Sequence, residues 1–292
     1  MAPTHWLLTD PERRARYLAF VDGTLRDAHR TALPVALLDR FRTKTSVLSR
    51  ECRSLTREGV YLEFGVFRGR SIRRVARILR RRRLHGFDSF EGLPRDGRTD
   101  WGQDFTVAQL PEVPSHVELH KGWFEATLPS FLEQLQAPVG LVHIDCDIHS
   151  STHFVLSELH RQGRLVPGLR IVFDELFNHP TALWNEQLAL FEVLEVAGLG
   201  FRWRGITRRA RLPEETIDLL ERGTFPTREM RHTTRDAGFW FQAGAIELTA
   251  EPITISGASL ARAHELSERF AKLSGKHYGG TLRASHALGS RK

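Results

Sequence analysis

Residues 62–71 read LEFGVFRGRS, and this stretch decides the fold. An apolar run, Val60 to Gly65, reads as a strand. A loop with two glycines, Gly65 and Gly69, follows, and a helix is expected from about Ser71 to Arg82. In α/β sheets ligands bind where strands end and helices begin. The spacing is GxxxG, not the GxGxxG of dinucleotide folds, and Glu63 at the strand end would repel a pyrophosphate. An acid there suits a ligand with positive charge or donor groups. A purely structural glycine turn remains the alternative.

Outward from this loop, strands and helices alternate. Strands are read at Arg83 to Asp88, His116 to His120, Val139 to Ile144, Leu169 to Phe173, Phe201 to Ile206 and Phe239 to Leu248. Helices are read at Phe124 to Gln136, interrupted near Pro129, at Thr152 to Gln162, and at Trp184 to Ala197. The order predicts an α/β fold, a mostly parallel sheet with helices on both faces. Before it, residues 1–56 read as a helical extension or lid, with helices starting at Pro11 and Pro34. Residues 57–250 form the main domain, with a polar, Arg-rich insertion over 207–236. Residues 251–292 hold a helix, Leu260 to Leu273, and a tail expected to be mobile.

The chain has 292 residues, 41% of them apolar, enough for a substantial core. No apolar run suits a membrane span or a signal peptide, so a cytoplasmic protein is expected. Two cysteines, Cys52 and Cys146, do not make a disulfide framework. The net charge of +7 brings nucleic acid into consideration. Much of the excess lies between Arg68 and Arg83, where it suits the negative end of a helix. That run lacks the interleaved aromatics of a single-strand binding face, so nucleic acid is not expected as a partner.

Acids mark the strand ends. Asp88 closes the second strand, where such a residue accepts ribose hydroxyls or caps a turn. Asp145 and Asp147, in LVHIDCDIHSST, lie two apart, so strand alternation would turn both carboxylates to one side. Asp174 and Glu175 end the next strand. Carboxylates gathered this closely need a cation, protons or arginines to coexist. An oxygen-only set suits Mg²⁺, Mn²⁺ or Ca²⁺. His143 could orient these acids.

Taken together, LEFGVFRGRS, GFDSFEGLP, KGWFEATLP, HIDCDIHSST and VFDEL resemble, in order and spacing, the motifs of class I S-adenosylmethionine-dependent methyltransferases. Within these they resemble the macrocin O-methyltransferase-like family. The resemblance spans roughly residues 60–205. It implies a Rossmann-like seven-stranded sheet with an antiparallel last strand at one edge. It implies S-adenosylmethionine held by Glu63, Gly65, Gly69 and Ser71, its ribose by Asp88 and Ser89, and its adenine near Gly122 and Trp123, with Asp145 beside the cofactor. It implies a divalent metal, usually Mg²⁺, on Asp145, Asp174 and Glu175, and Asp147 as a candidate base. The acceptor would be a hydroxyl on a small molecule, such as a sugar in natural-product biosynthesis.

The sequence departs from the family pattern at His149, where the family has tyrosine, and at Glu175, where the second acid of the pair is often Asp. His149 is a second candidate base, since an imidazole titrates near neutrality. A metal-independent methyltransferase and a non-catalytic cofactor- or nucleic-acid-binding module remain alternatives. A homo-oligomer is left open.

Overall fold

β1 (Val60–Phe64) is buried at all five positions, and so are the six of β4 (Val139–Ile144) and the four of β5 (Arg170–Phe173). Strands covered on both faces read as continuous apolar runs. The computed structural model describes residues 5–31, 44–94, 105–207, 209–224 and 242–289. Its sheet has seven strands in the order β3-β2-β1-β4-β5-β7-β6. β2 (Leu84–Asp88) and β3 (Val117–Lys121) complete the parallel part with β1, β4 and β5. β7 (Gly244–Thr249) runs antiparallel to both β5 and β6 (Gly200–Ile206). The last strand is antiparallel as expected, but it lies inside the sheet, and β6 forms the edge. The fold is the expected Rossmann-like seven-stranded sheet.

Strand alternation divides the interior into two cores. Leu62, Phe64, Val142, Ile144, Ile171 and Phe173 face one side; Tyr61, Leu141, Val172 and Ala245 face the other. The first core takes α5 (Phe124–Gln134), α6 (His149–Arg161) and α7 (Glu186–Ala197). The second takes α3 (Lys44–Arg53) and α4 (Arg70–Ile78). α4 ends four residues short of the expected Arg82. Its following turn sends Arg82 back to the carbonyls of Arg57 (2.8 Å) and Gly59 (3.1 Å). Part of the arginine run is thus spent capping main chain beside β1. α5 runs unbroken through Pro129, not interrupted there. This proline is at the middle of the helix, where it forfeits one hydrogen bond to the first turn.

The N-terminal extension is part of the core. α1 (Trp6–Thr9) and α2 (Pro11–Thr31) bury Leu7, Tyr17, Leu18 and Val21 against α7 and the C-terminal helix α9 (Gly257–Gly289). Asp10 caps α2 by accepting from the Arg13 N–H at 2.9 Å, with Pro11 in the first helical position. Arg14 reaches Ser267 and Glu268, while Asp22 holds Arg262, so α2 and α9 run in opposite senses. α9 continues to Gly289, well beyond the expected end at Leu273. In the segment read as an insertion, α8 (Pro213–Glu221) is a helix tied to α9 by Arg269, which grips Asp218 and Glu221. Residues 32–43, 225–241 and 290–292, which include the start of the helix expected from Pro34, lie outside the described residues. Among the described residues no helix is long and apolar enough to cross a membrane.

Candidate active site

A cavity of about 240 Å³ opens at the carboxyl ends of β1, β2, β4 and β5. This is where a doubly wound sheet places its ligands. The loop after β1 forms one wall. Gly65 has φ 90°, and a Cβ on it would lie 2.0 Å from the Asp145 carbonyl oxygen. Only glycine permits the first and fourth strands to pass so closely here. Phe67 (φ 49°) and Gly69 (φ 70°) complete the turn into α4.

Asp88 holds this loop in shape. One carboxylate oxygen accepts the main-chain N–H groups of Val66 (2.8 Å) and Phe67 (2.7 Å), and the other accepts that of Phe90 (2.6 Å). In dinucleotide folds, N–H groups of such a loop face a pyrophosphate; here an aspartate takes two of them. A carboxylate has about four acceptor sites, so these three bonds leave Asp88 about one for a ribose hydroxyl. Asp88 and Ser89 both line the cavity.

Of the other residues expected to hold a cofactor, Gly65, Trp123 and Asp145 line the cavity, and Glu63, Gly69, Ser71 and Gly122 do not. Glu63 is fully buried behind the loop, accepting from Ser71 Oγ at 2.6 Å and from the Tyr61 hydroxyl. It braces the strand-to-helix turn from below. Gly122 donates its N–H to the Asp88 carbonyl at 3.0 Å, joining the ends of β2 and β3. Trp123, with 40% of its surface exposed, stands at the cavity rim.

Asp145, Asp147, Asp174 and Glu175 all line the cavity, but not for the reason that strand alternation suggests. β4 ends at Ile144. Asp147 has φ 63°, and the Ile148 N–H donates to the Cys146 carbonyl at 2.8 Å across it. That is a tight γ-turn with a rare, strained central conformation. This turn, rather than strand alternation, sets where Asp147 enters the cavity lining.

His149 lies elsewhere. It opens α6, and its Nε2 is 2.6 Å from Glu192 Oε2 on α7. The Trp6 indole donates to the other oxygen of Glu192 at 2.6 Å. His149 is thus part of a strut joining α1, α6 and α7, and it does not line the cavity.

Sequence reasoning missed several wall residues: Phe67, Phe105, Phe124, Glu125, Cys146 and Ser151. Phe67 and Phe105 meet edge to face at 5.4 Å. Burial, then the nearby Glu186, Asp145 and Asp147 carboxylates, push the Cys146 thiol far above its ordinary value. That direction favours the neutral thiol over the nucleophilic thiolate.

His143 proves more central than its sequence context shows. It is 1% exposed, pairs with Glu63 across the β1–β4 ladder, and offers a donor atom within 4.8 Å of those of Asp145 and Asp174. Neither ring nitrogen makes a hydrogen bond, although Nδ1 lies 3.3 Å from Glu63 Oε2. The two groups are close but poorly aligned. Glu175, expected to be the third ligand, is not in this cluster.

Six carboxylates line the cavity (Asp88, Glu125, Asp145, Asp147, Asp174 and Glu175), and no lysine or arginine does so among the described residues. In a chain of net charge +7 this is a local reversal of sign. It favours a cationic ligand.

Residues 62–176 match a family model described as a methyltransferase domain. No curated protein matches the chain by sequence. Among solved structures, the chain is similar to CalS11, described as a calicheamicin methyltransferase, at 26% identity, over 69% of this chain and 89% of that one, with a TM-score of 0.44. It is also similar to a cofactor-bound structure of Rv0187 from MTB, at 16% identity over 81% and 90% of the two chains, with a TM-score of 0.42. A third is a putative O-methyltransferase from Klebsiella pneumoniae, at 19% identity over 67% and 90%, with a TM-score of 0.35. The fold assignment rests on the sheet order, not on these overlays. The segment that matches the methyltransferase domain is the one that builds the acid-lined cavity, from the end of β1 to Glu175 just beyond β5.

Proposed function

We propose that this chain is an S-adenosylmethionine-dependent methyltransferase that acts on a hydroxyl of a small molecule. The observation that carries the reading is the anionic cavity behind the Gly65 loop, within a segment matching a methyltransferase domain. A sulfonium and an ammonium both gain from its carboxylates, whereas a pyrophosphate-bearing dinucleotide would be repelled. The arginines between Arg68 and Arg83 contribute nothing to the cavity lining, which disfavours a phosphate-rich or nucleic-acid ligand there.

A divalent cation fits the same cavity. Asp145, Asp174 and His143 would hold it, and the buried, unbonded His143 ring is the group that such an ion would satisfy. One imidazole with two carboxylates widens the choice from Mg²⁺ toward Mn²⁺ or Fe²⁺. When bound, the cofactor supplies the electrophilic methyl group and the cation lowers the pKa of the acceptor hydroxyl.

The residues of the chain then divide the work. Gly65 and the Asp88-held loop set the floor on which the cofactor lies, with Trp123 at the rim. Phe67 and Phe105 exclude water. Asp147 takes the proton of the acceptor hydroxyl as its oxygen forms a bond to the methyl carbon and the sulfur leaves with the electron pair. Positioning of the two reactants supplies most of the rate. The motifs favour a macrocin-like O-methyltransferase, with a sugar or other natural-product hydroxyl as acceptor.

Calorimetry with S-adenosylmethionine and S-adenosylhomocysteine, with and without Mg²⁺ or Mn²⁺, tests the reading. Micromolar binding of both is expected. Absence of binding to either would sink it. Unchanged turnover of an accepted substrate in excess chelator would remove the metal while leaving the methyltransferase.

A further inference from the structure

A second cluster of donors lies on the outer strands. Glu118 and His120 alternate along β3, and β2 places His85 directly opposite Glu118. All three therefore face the α5 side of the sheet. His85 Nδ1 is 3.1 Å from His120 Nε2 and 3.7 Å from Glu118 Oε2, and the three donor atoms lie within 4.8 Å of one another. The hollow that they line shares no residue with the acid-lined cavity.

We propose that His85, Glu118 and His120 bind a zinc-class divalent cation. Two imidazoles and one carboxylate, with a water in the fourth position, are a common zinc set. An ion about 2.0 Å from both nitrogens would see them roughly 100° apart, close to tetrahedral. The Glu118 side chain is 66% exposed, so it has room to swing onto the ion. The imidazoles are held in place by aromatic packing and need turn only within it. The Phe131 ring packs on both at 4.6 and 4.9 Å, and Phe87 stacks on His120 at 4.4 Å.

Two features oppose binding and set its strength. Without metal, one imidazole donates to the other, so the pair is already satisfied. Arg83 and Lys121 line the same hollow and repel a cation, and Glu118 offsets one of those charges. Micromolar affinity is therefore expected. β2 and β3 run on to Asp88 and to the Gly122 turn, whose main chains are hydrogen-bonded at 3.0 Å. A metal here would clamp the two strands that carry one side of the acid-lined cavity.

The test is zinc titration of the tag-free full chain, with a chromophoric chelator as competitor and Co²⁺ absorption as a coordination probe. One equivalent is expected at this site, with tetrahedral Co²⁺ bands and a rise in Tm. Affinity should fall at least 100-fold in His120→Ala and about 10-fold in Glu118→Gln, and persist in Asp174→Asn. Both first variants alter positions on the outermost strand, so their folding is checked by circular dichroism. His85→Gln serves as a second ligand variant. No zinc binding overturns the proposal. So does binding that, measured in the Asp174→Asn background, survives His120→Ala and Glu118→Gln, or binding lost only in Asp174→Asn, which would place the ion in the acid-lined cavity.

Discussion

The Gly65 Cα and the Asp145 carbonyl stand so close that a methyl group on Gly65 would come within 2.0 Å of that oxygen. The contact joins the loop after β1 to the acid-bearing end of β4. Gly65→Ala adds both this clash and the cost of alanine at φ 90°. A loss of about 2–4 kcal/mol is expected in denaturant unfolding. S-adenosylhomocysteine affinity should fall with it. Unchanged stability would mean that the two strands can separate at no cost.

Asp147 and His149 make opposite predictions. Asp147→Asn keeps the shape of the cavity and removes the proton acceptor. Turnover should fall about 10²–10⁴-fold with S-adenosylhomocysteine affinity within a few-fold of the parent. His149→Gln breaks the strut to Glu192 and should cost about 1–3 kcal/mol of stability, with turnover changed little. If His149→Gln instead abolished the acid limb of the pH–rate profile and Asp147→Asn did not, the base would be misassigned.

Glu51 is fully buried in α3 and sits among three arginines. It lies 2.8 Å from Arg50, 3.4 Å from Arg170 on β5 and 3.1 Å from Arg204 on β6. Glu51→Ala would take from the buried Arg170 one of its two carboxylates, leaving Glu247 at 3.6 Å. Burial lowers Arg170 from its ordinary range, and Glu51 and Glu247 counter that effect. A loss of about 1.5–3 kcal/mol is expected in chemical denaturation, since Glu247 still faces Arg170 and Arg204. A change below about 1 kcal/mol would show that water reaches the cluster.

Stability should also depend on His85 at mildly acid pH. Burial is the main cause that lowers His85 to about 4; His120 and Arg83 add to it, Glu118 opposes it, and Lys121 lines the same hollow. The unfolded chain takes up this proton near the ordinary value of 6.5, and the folded chain does not until about 4. The contribution is therefore complete above pH 6.5 and is lost as pH falls from 6.5 toward 4. Allowing for the ring edge that faces the open hollow, about 1–2 kcal/mol is at stake. In chelator, His85→Gln should show a shallower decline than the parent over that window. Parallel curves would remove the assignment.

Much of this protein can be read along the chain. Continuous apolar runs such as Val139–Ile144 announce strands buried on both faces, and the β4 bounds match the sequence reading. The loop glycines announce a turn at a strand end, because φ 90° is open to glycine and closed to most other residues. The acids at strand ends announce a site, since parallel topology gathers those ends on one rim. These signals are local, carried by residues a few positions apart.

What the chain alone did not reveal depends on partners distant in sequence. Nothing near His149 points to Glu192, which draws it away from the cavity. Nothing near Asp88 shows that the Val66 and Phe67 N–H groups occupy it. Asp147 enters the cavity through a positive-φ turn, not through strand alternation. β7 leaves the edge because its antiparallel pairing with both β5 and β6 satisfies main-chain groups on both of its sides. Local backbone preference sets the elements. Which side chains meet is decided by packing and by hydrogen-bond satisfaction across the fold, and only the tertiary structure records that choice.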